Sequence, residues 1–209
     1  MKKGLFITFE GPDGSGKTTV SKAVTERLIS EGYRMRYTRE PGGSDIAEQI
    51  RNVILDPKNT KMDARTEALL YAASRRQHLV EIIEPALLDG IHVISDRFID
   101  SSLAYQGCGR EIGIDEVFAI NQFAIEAHMP DKTIYLDIDA ETGLSRIQGR
   151  SFLDRLDQES ISFHEKVFNG YQEVLKRYQD RILIVDANRA VEEVIEDAYQ
   201  LVKGILDER

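Results

Sequence analysis

Short apolar runs alternate along this chain with longer segments in which apolar residues recur every three or four positions. The short runs are typical of buried β-strands, and the periodic segments are typical of helices that bury one face. The predicted strands cover residues 5–9, 33–38, 91–94, 133–136 and 182–185. The predicted helices cover about 17–32, 46–54, 63–88, 114–127, 140–148, 158–178 and 191–206.

This alternation of strands and helices favours an α/β fold with one parallel sheet of five strands flanked by helices on both faces. Right-handed crossovers would connect the strands. The chain has 209 residues, and it contains no internal repeat and no linker rich in proline, glycine and serine. We therefore expect a single domain over residues 1–209.

Composition and charge disfavour several classes of partner. Acidic residues outnumber basic ones by 36 to 27, which gives a formal net charge of −9. That balance disfavours nonspecific nucleic-acid binding but permits a phosphate ligand in one basic cleft. No uncharged run approaches the roughly 18 residues of a membrane span, and the apolar run near the N-terminus is too short for a signal peptide. With Cys108 as its single cysteine, the chain is expected to be cytoplasmic, without disulfides, and to bind neither membrane nor nucleic acid.

The strongest chemical signal lies directly after the first predicted strand. Gly11 and Gly16 have four residues between them and are followed by Lys17 and Thr18, which is the spacing of a phosphate-binding loop. The backbone N–H groups of such a loop point at phosphate oxygens, the lysine reaches the β- and γ-phosphates, and the hydroxyl ligates Mg²⁺. An ordinary glycine-rich turn is the alternative, but the flanking strand and helix favour a nucleoside triphosphate site. The loop residues are Gly11, Pro12, Asp13, Gly14, Ser15, Gly16, Lys17 and Thr18.

A second polar signal follows the predicted strand at 91–94, where Asp96 and Arg97 come next in the chain. Ligands of open α/β sheets bind beyond the carboxyl ends of the strands. Asp96 is therefore a candidate to hold Mg²⁺ together with Thr18, and Arg97 is a candidate to hold a phosphate. The alternative for Asp96 is a cap on the next helix.

A guanine-reading motif would indicate a nucleotide-dependent switch without turnover. Residues 60–63 match the letters of that motif, but they follow a polar turn rather than a buried strand. We interpret them as a loop in which Asp63 caps the following helix. A switch is therefore disfavoured, and a kinase is favoured.

A small kinase needs groups that hold the acceptor. On the predicted helix at 63–88, Glu67, Tyr71 and Arg75 are spaced four apart and share one face. A ring beside a guanidinium could hold a base and a phosphate; alternatively, Tyr71 belongs to the core and Arg75 to a surface ion pair. A hydroxyl, a second ring and an amide able to read a base edge come from Ser102, Tyr105 and Gln106.

A kinase also needs a lid that excludes water. Arg146, Arg150 and Arg155 cluster late in the chain, so residues 146–157 are a candidate lid. Its arginines could close over the triphosphate and stabilise charge on the transferred group. The alternative is a solvated helix end with ordinary ion pairs.

Together these segments resemble the thymidylate kinases of the bacterial kind. The similarity runs through residues 9–19, 39–43, 66–75, 96–107 and 153–159, of which 96–107 is the most specific. The resemblance implies a P-loop nucleoside monophosphate kinase fold, usually assembled as a homodimer. It also implies the reaction of dTMP with MgATP to give dTDP and ADP.

The resemblance further implies how the chain would hold dTMP. Asp13 would bind the 3′-hydroxyl of the sugar, and Tyr105 would crowd the 2′ position and so favour deoxyribose. Tyr71 would stack on thymine where the family usually has phenylalanine. The other contacts would come from Arg75 and Gln106 on the base, Ser102 near the base, and Arg51 and Arg97 on the phosphate.

For the triphosphate, the resemblance extends the ATP-binding loop to Thr19 and places Glu40 and Asp96 near Mg²⁺ and the phosphates. Some family members carry a catalytic arginine in this loop, where the present chain has Gly14. We therefore expect Arg150 of the lid to act with Lys17 and Arg97 as the catalytic cations. Arg146 would pack on adenine.

A deoxynucleoside kinase is the main alternative function. Transfer to a sugar hydroxyl needs a general base, and Glu40 could supply one. The lid arginines fit either enzyme. Residues 96–107 and Asp13 favour the nucleotide kinase.

Overall fold

The structure is a computed structural model that describes residues 2–148 and 154–208. These residues contain one parallel five-stranded sheet with the strand order β2-β3-β1-β4-β5. The strands are β1 Phe6–Glu10, β2 Met35–Arg39, β3 His92–Asp96, β4 Lys132–Asp137 and β5 Ile182–Asp186. The predicted α/β fold with a parallel sheet is confirmed.

The α-helices of the described ranges lie on both faces of this sheet. They are α1 Lys17–Ser30, α2 Asp45–Leu55, α3 Ala64–His78, α4 Glu84–Leu88, α5 Ile99–Ser102, α6 Ile114–Ile125, α7 Ala140–Gln148, α8 Ile161–Arg177 and α9 Val191–Asp207. Two π-helical segments, Leu79–Ile83 and Leu103–Gly109, follow α3 and α5. Within the described ranges, none of the helices combines the length and the apolar character needed to cross a membrane.

The central strand β1 carries an uninterrupted run of buried residues because the sheet covers both of its edges and helices cover both of its faces. Ile7 and Phe9 point to one core, which they share with apolar residues of α1 and α9. Phe6 points to the other core, which it shares with residues of α6, α8 and the π-helical segments. The register pairs Phe9 with Asp96, so β1 and β3 end side by side.

The predicted helix at 63–88 is confirmed as one continuous helical stretch, in which the π-helical segment Leu79–Ile83 joins α3 to α4. Pro85 lies in the first turn of α4 and has no N–H to continue an α-helical ladder, which accounts for the change in hydrogen bonding near this point. The segment from Ile99 to Gly109 is helical although the sequence pattern did not predict it. Its two glycines and its polar residues weaken the helical pattern.

Candidate active site

The phosphate-binding loop connects β1 to α1, as the sequence predicts. Gly14 has a φ of 85°, in the left-handed region, and a Cβ there would lie 2.3 Å from the Gly143 carbonyl oxygen of α7. No side chain fits at this position, which is the one where some family members carry a catalytic arginine. Arg146, also on α7, donates from Nη1 to the Gly14 carbonyl at 3.2 Å.

Lys17 folds back across the loop. Its Nζ donates to the Pro12 carbonyl at 2.8 Å and to Ser15 Oγ at 3.3 Å. Burial lowers the pKa of Lys17 to about 8, and the nearby Arg97 guanidinium lowers it further, while carboxylates such as Asp13 oppose the shift. The Lys17 ammonium thus lies inside the loop, where bound phosphates would replace the Pro12 carbonyl and Ser15 Oγ as its partners.

Thr18 and Asp96 meet at the carboxyl ends of β1 and β3. The Thr18 hydroxyl donates to Asp96 Oδ2 at 2.5 Å. The alternative in which Asp96 caps the next helix is wrong, since Glu10 accepts the N–H groups of Phe98 and Ser101 at the start of α5. The Thr18 hydroxyl and the Asp96 carboxylate are hard oxygen ligands, and two such ligands this close together suit a magnesium ion.

Arg97 directly follows β3 and takes a positive φ of 71°. Its guanidinium donates to Asp13 and, at 3.0 and 3.1 Å, to the hydroxyls of Ser101 and Tyr171. The Tyr105 hydroxyl donates to Asp13 at 2.6 Å. Arg97, Asp13 and Tyr105 therefore form one connected group beside the phosphate-binding loop.

One cavity of about 330 Å³ joins the predicted sites, a size in the range of ligand pockets. The predicted residues that line it are Asp13, Gly14, Gly16, Lys17, Thr18, Thr19, Glu40, Arg51, Tyr71, Arg75, Asp96, Arg97, Ser102, Tyr105 and Gln106. Gly11, Pro12 and Ser15 belong to the same loop as Lys17. Arg150 lies outside the described residues, and with it part of the predicted lid at 146–157.

Arg75 is buried rather than exposed, so the alternative of a surface ion pair is wrong. Its Nε donates to Glu40 at 2.8 Å and its Nη1 donates to Ser102 at 3.1 Å. The other oxygen of Glu40 contacts His78 Nδ1 at 3.0 Å. Since both Glu40 oxygens are engaged, this carboxylate is poorly placed to act as the general base of a nucleoside kinase.

Tyr71 combines the two roles that the sequence left open. It packs against the core shared by α3 and the segment Leu103–Gly109, and it also lines the cavity. Burial and, to a smaller extent, the Glu67 carboxylate raise the pKa of Tyr71 well above its ordinary value. The ring is therefore neutral and fixed at the cavity wall.

Two buried glutamates support the site: Glu10, for which the sequence predicted no role, and Glu67, which was predicted only to share a helix face with Tyr71 and Arg75. Glu10 accepts from Phe98 N at 2.7 Å and from Ser101 Oγ at 2.5 Å, and so fixes the turn that carries Arg97. Burial, with a smaller contribution from Asp100, raises the pKa of Glu10 to about 7. The sequence did contain a signal for Glu10, because it is a charged residue at the end of the otherwise apolar strand β1.

Glu67 is the second of these glutamates. Arg155 donates to it at 2.6 Å and is only 7% exposed, so the alternative of a solvated helix end is wrong for Arg155. Arg155 also donates to the Ile54 carbonyl at 2.8 Å, which ties this part of the candidate lid to α2. The Gln106 amide and Arg110 donate to Glu67 as well.

The comparison with protein families identifies the family of this chain. A family model described as thymidylate kinase matches residues 9–198. The chain belongs to the thymidylate kinase family. Among its relatives, the thymidylate kinase of Bacillus velezensis is 58% identical over 97% of both chains. The thymidylate kinase of Clostridium novyi is 56% identical over 99% of this chain and all of the relative.

A solved structure agrees with this family membership. The crystal structure of thymidylate kinase from Ehrlichia chaffeensis superposes with a TM-score of 0.78 at 33% identity, covering 96% of this chain and 99% of that one. The resemblance to the thymidylate kinases is confirmed, and so is the P-loop nucleoside monophosphate kinase fold. The chain is a kinase of nucleotide biosynthesis.

Proposed function

We propose that this chain transfers the γ-phosphoryl group of ATP to dTMP, giving dTDP and ADP for dTTP biosynthesis. The observation that supports this best is the single cavity that runs from Lys17 and Thr18 to Tyr71 and Gln106. A triphosphate at the loop and a monophosphate at Arg97 would meet in that cavity. Sequence identity to thymidylate kinases over nearly the whole chain supports the same reaction.

The loop from Gly11 to Thr19 would bind ATP through its backbone N–H groups, and Lys17 would reach the β- and γ-phosphates. Thr18 and Asp96 would hold Mg²⁺, which supplies neutralisation of phosphate charge when bound. Their oxygens already lie within hydrogen-bond distance of each other, as shared ligation requires. Arg146 would pack on adenine, and its contact with the Gly14 carbonyl supports a position beside the loop.

The opposite part of the cavity would bind dTMP. Arg97 and Arg51 would hold the phosphate, and Asp13 and Tyr105 would contact the sugar. The Asp13–Tyr105 hydrogen bond supports the sugar site, because it fixes a carboxylate and a ring side by side. The base would lie on Tyr71, with its polar contacts from Arg75, Ser102 and Gln106.

The proposed mechanism needs no strong general base. The acceptor is a phosphate oxygen that is already ionised near neutral pH, so catalysis consists of positioning and charge neutralisation. Lys17, Arg97 and Arg150 would supply the positive charge. Since the backbone at Gly14 leaves no room for an arginine side chain, the lid is the proposed source of the third cation.

The reaction is tested by incubating the protein with ATP, Mg²⁺ and dTMP and separating the products by anion exchange. Equal amounts of dTDP and ADP, each dependent on both nucleotides, are expected. ADP without dTDP would contradict transfer to dTMP.

Arg150→Ala tests the role of the lid. Loss of a transition-state arginine should lower kcat by about 100-fold or more, with KM for dTMP little changed. Arg146→Ala is the matched control on the same segment, and it should mainly raise KM for ATP. Initial-rate kinetics on both variants separate these effects, and a kcat for Arg150→Ala within a few fold of wild type would exclude the assignment.

We also propose a homodimer in the cytoplasm. Phe123 of α6 is 89% exposed and Leu69 of α3 is 56% exposed, and these two helices pack side by side through Arg75 and Asn121. Exposed apolar side chains on adjacent helices are what a subunit interface would cover. The compartment rests on the single cysteine and the absence of any disulfide it could form within the chain.

A further inference from the structure

Glu67 is the centre of a buried cluster of polar side chains behind the base end of the cavity. Its carboxylate has 1% side-chain exposure and contacts two arginines. Arg110 Nη2 donates to it at 2.9 Å, and Arg155 Nη2 donates at 2.6 Å. Burial by itself would raise the pKa of Glu67, but the hydrogen bonds and charges of these partners outweigh burial and lower it. Glu67 is therefore ionised.

The third partner of Glu67 is the side chain of Gln106, whose Nε2 donates to Oε1 at 2.9 Å. An ionised carboxylate can only accept hydrogen bonds, so the amide that faces it must present its NH₂ group. Glu67 thus decides which of the two amide orientations Gln106 adopts. In the part of the chain that the structure describes, no donor bonds Oε1, the side-chain amide oxygen of Gln106.

Gln106 lines the cavity, as does Arg75. With its NH₂ group held by Glu67, Gln106 has a hydrogen-bond acceptor to offer a ligand, whereas the Arg75 guanidinium offers only donors. Adjacent positions on the edge of thymine carry an acceptor at O4 and a donor at N3. The same positions of cytosine carry a donor at N4 and an acceptor at N3. This pair of side chains therefore complements thymine and opposes cytosine.

We propose that Glu67 is a positioning residue for substrate selection, which fixes the Gln106 amide so that its oxygen accepts from N3–H of the base. This inference rests on the proposed function, because it takes the base of the acceptor to lie at Gln106. Without the carboxylate, the amide can turn and present its NH₂ group to N3 of cytosine. Selection of thymine over cytosine monophosphates then weakens, because the Gln106 oxygen no longer faces the acceptor N3 of cytosine.

The test is the ratio of kcat/KM for dTMP to kcat/KM for dCMP, measured on wild type and on Glu67→Gln. The ratio is expected to fall by about tenfold or more in the variant. General damage to the fold would lower both values together and leave the ratio unchanged. A ratio within twofold of wild type overturns the inference.

A second pair of variants is used if Glu67→Gln does not fold because it leaves the buried Arg155 without its carboxylate partner. Arg155→Gln combined with Glu67→Gln removes one charge of each sign, while Arg110 keeps its ion pair with Glu159 at 2.6 Å. Arg155→Gln alone is the matched control, in which Arg110 still pairs with Glu67 and the ratio should stay near that of wild type. A tenfold fall from the control to the double variant supports the inference, and equal ratios overturn it.

The activity of wild type distinguishes a failure of the proposed function from a failure of the positioning role of Glu67. If wild type does not phosphorylate dTMP, the proposed function fails. If wild type phosphorylates dTMP and the ratio is insensitive to Glu67, only the positioning role fails.

Discussion

Lys17 illustrates how a single residue depends on the loop around it. The ammonium is buried, it bonds the loop that it is expected to serve, and its pKa is lowered to about 8. A lysine with an ordinary pKa would keep its proton throughout the physiological range. Lys17 loses its proton within about two pH units of neutrality, so the charge that attracts phosphate depends on pH.

The pKa of Lys17 leads to a prediction for ATP binding. As pH rises through about 8, the free enzyme loses the ammonium, and KM for ATP should increase by up to about tenfold per pH unit. Bound phosphates stabilise the proton, so kcat should fall later than kcat/KM does. Kinetics from about pH 7 to about pH 9.5 check this.

Lys17→Arg is the control for the pH dependence, because a guanidinium stays charged over that range. Its activity will be lower, but its KM for ATP should not rise with pH. A wild-type KM that stays constant up to about pH 9.5 would contradict the assigned pKa.

The placement of site residues could be predicted from the sequence where the signal is local. The sequence predicted that the loop from Gly11 to Thr18 and the strand-end Asp96 lie together, because each directly follows a short apolar strand. Glu67 and Arg110 are 43 residues apart, and Glu10 and Ser101 are 91 apart. No periodicity connects such partners, so the buried polar contacts behind the site needed the structure.

At the scale of elements, α3 carries Glu67, Tyr71 and Arg75, so the stability of its first turn affects the position of these side chains. Asp63 precedes this helix and accepts hydrogen bonds from Arg65 N at 3.0 Å and Thr66 N at 3.1 Å. The predicted N-cap at Asp63 is confirmed. The apparent guanine-reading motif at 60–63 is therefore a turn that ends at the N-cap of α3.

Asp63→Ala should lower the free energy of unfolding by about 1 kcal/mol, the usual effect of removing an N-cap acceptor. Urea denaturation, with the midpoint and the slope fitted separately, measures this change. Asp63→Asn keeps an acceptor oxygen and should differ from wild type by less than about 0.5 kcal/mol. Equal losses in the two variants would show that charge, rather than capping, is responsible.

Most elements followed from hydrophobic pattern, and the exceptions have identifiable causes. The runs at 5–9, 91–94, 133–136 and 182–185 became strands because they are apolar and short. The segment Leu103–Gly109 was not predicted as helix, although it packs against α8 and holds Tyr105 and Gln106. Tertiary contacts override its weak local propensity.

For the whole molecule, net charge and local charge differ in sign. The chain carries −9, yet its cavity is lined by several cations, among them Lys17, Arg51, Arg75 and Arg97. A cleft with low-dielectric walls focuses the field of such groups. An acidic protein can in this way attract two phosphate-bearing substrates to one cleft.

The proposed dimer predicts a difference between two exposed apolar positions. Phe123→Lys on α6 should dissociate the dimer, because a lysine replaces a ring that is 89% exposed in the single chain. Ile184→Lys, on the edge strand β5 and 58% exposed, should leave it intact. Sedimentation velocity at micromolar concentration distinguishes the two states. A dimeric Phe123→Lys variant would move the interface elsewhere.

The most direct measurement is coupled ADP release with ATP and Mg²⁺, comparing dTMP, dUMP, dCMP, AMP and thymidine as acceptors. Arg97 offers a cation for an acceptor phosphate, and both oxygens of Glu40 are engaged by Arg75 and His78. The account therefore predicts strong turnover with dTMP, weaker turnover with dUMP and none with thymidine. Turnover with thymidine but not with dTMP would contradict it and make Glu40 the residue to mutate next.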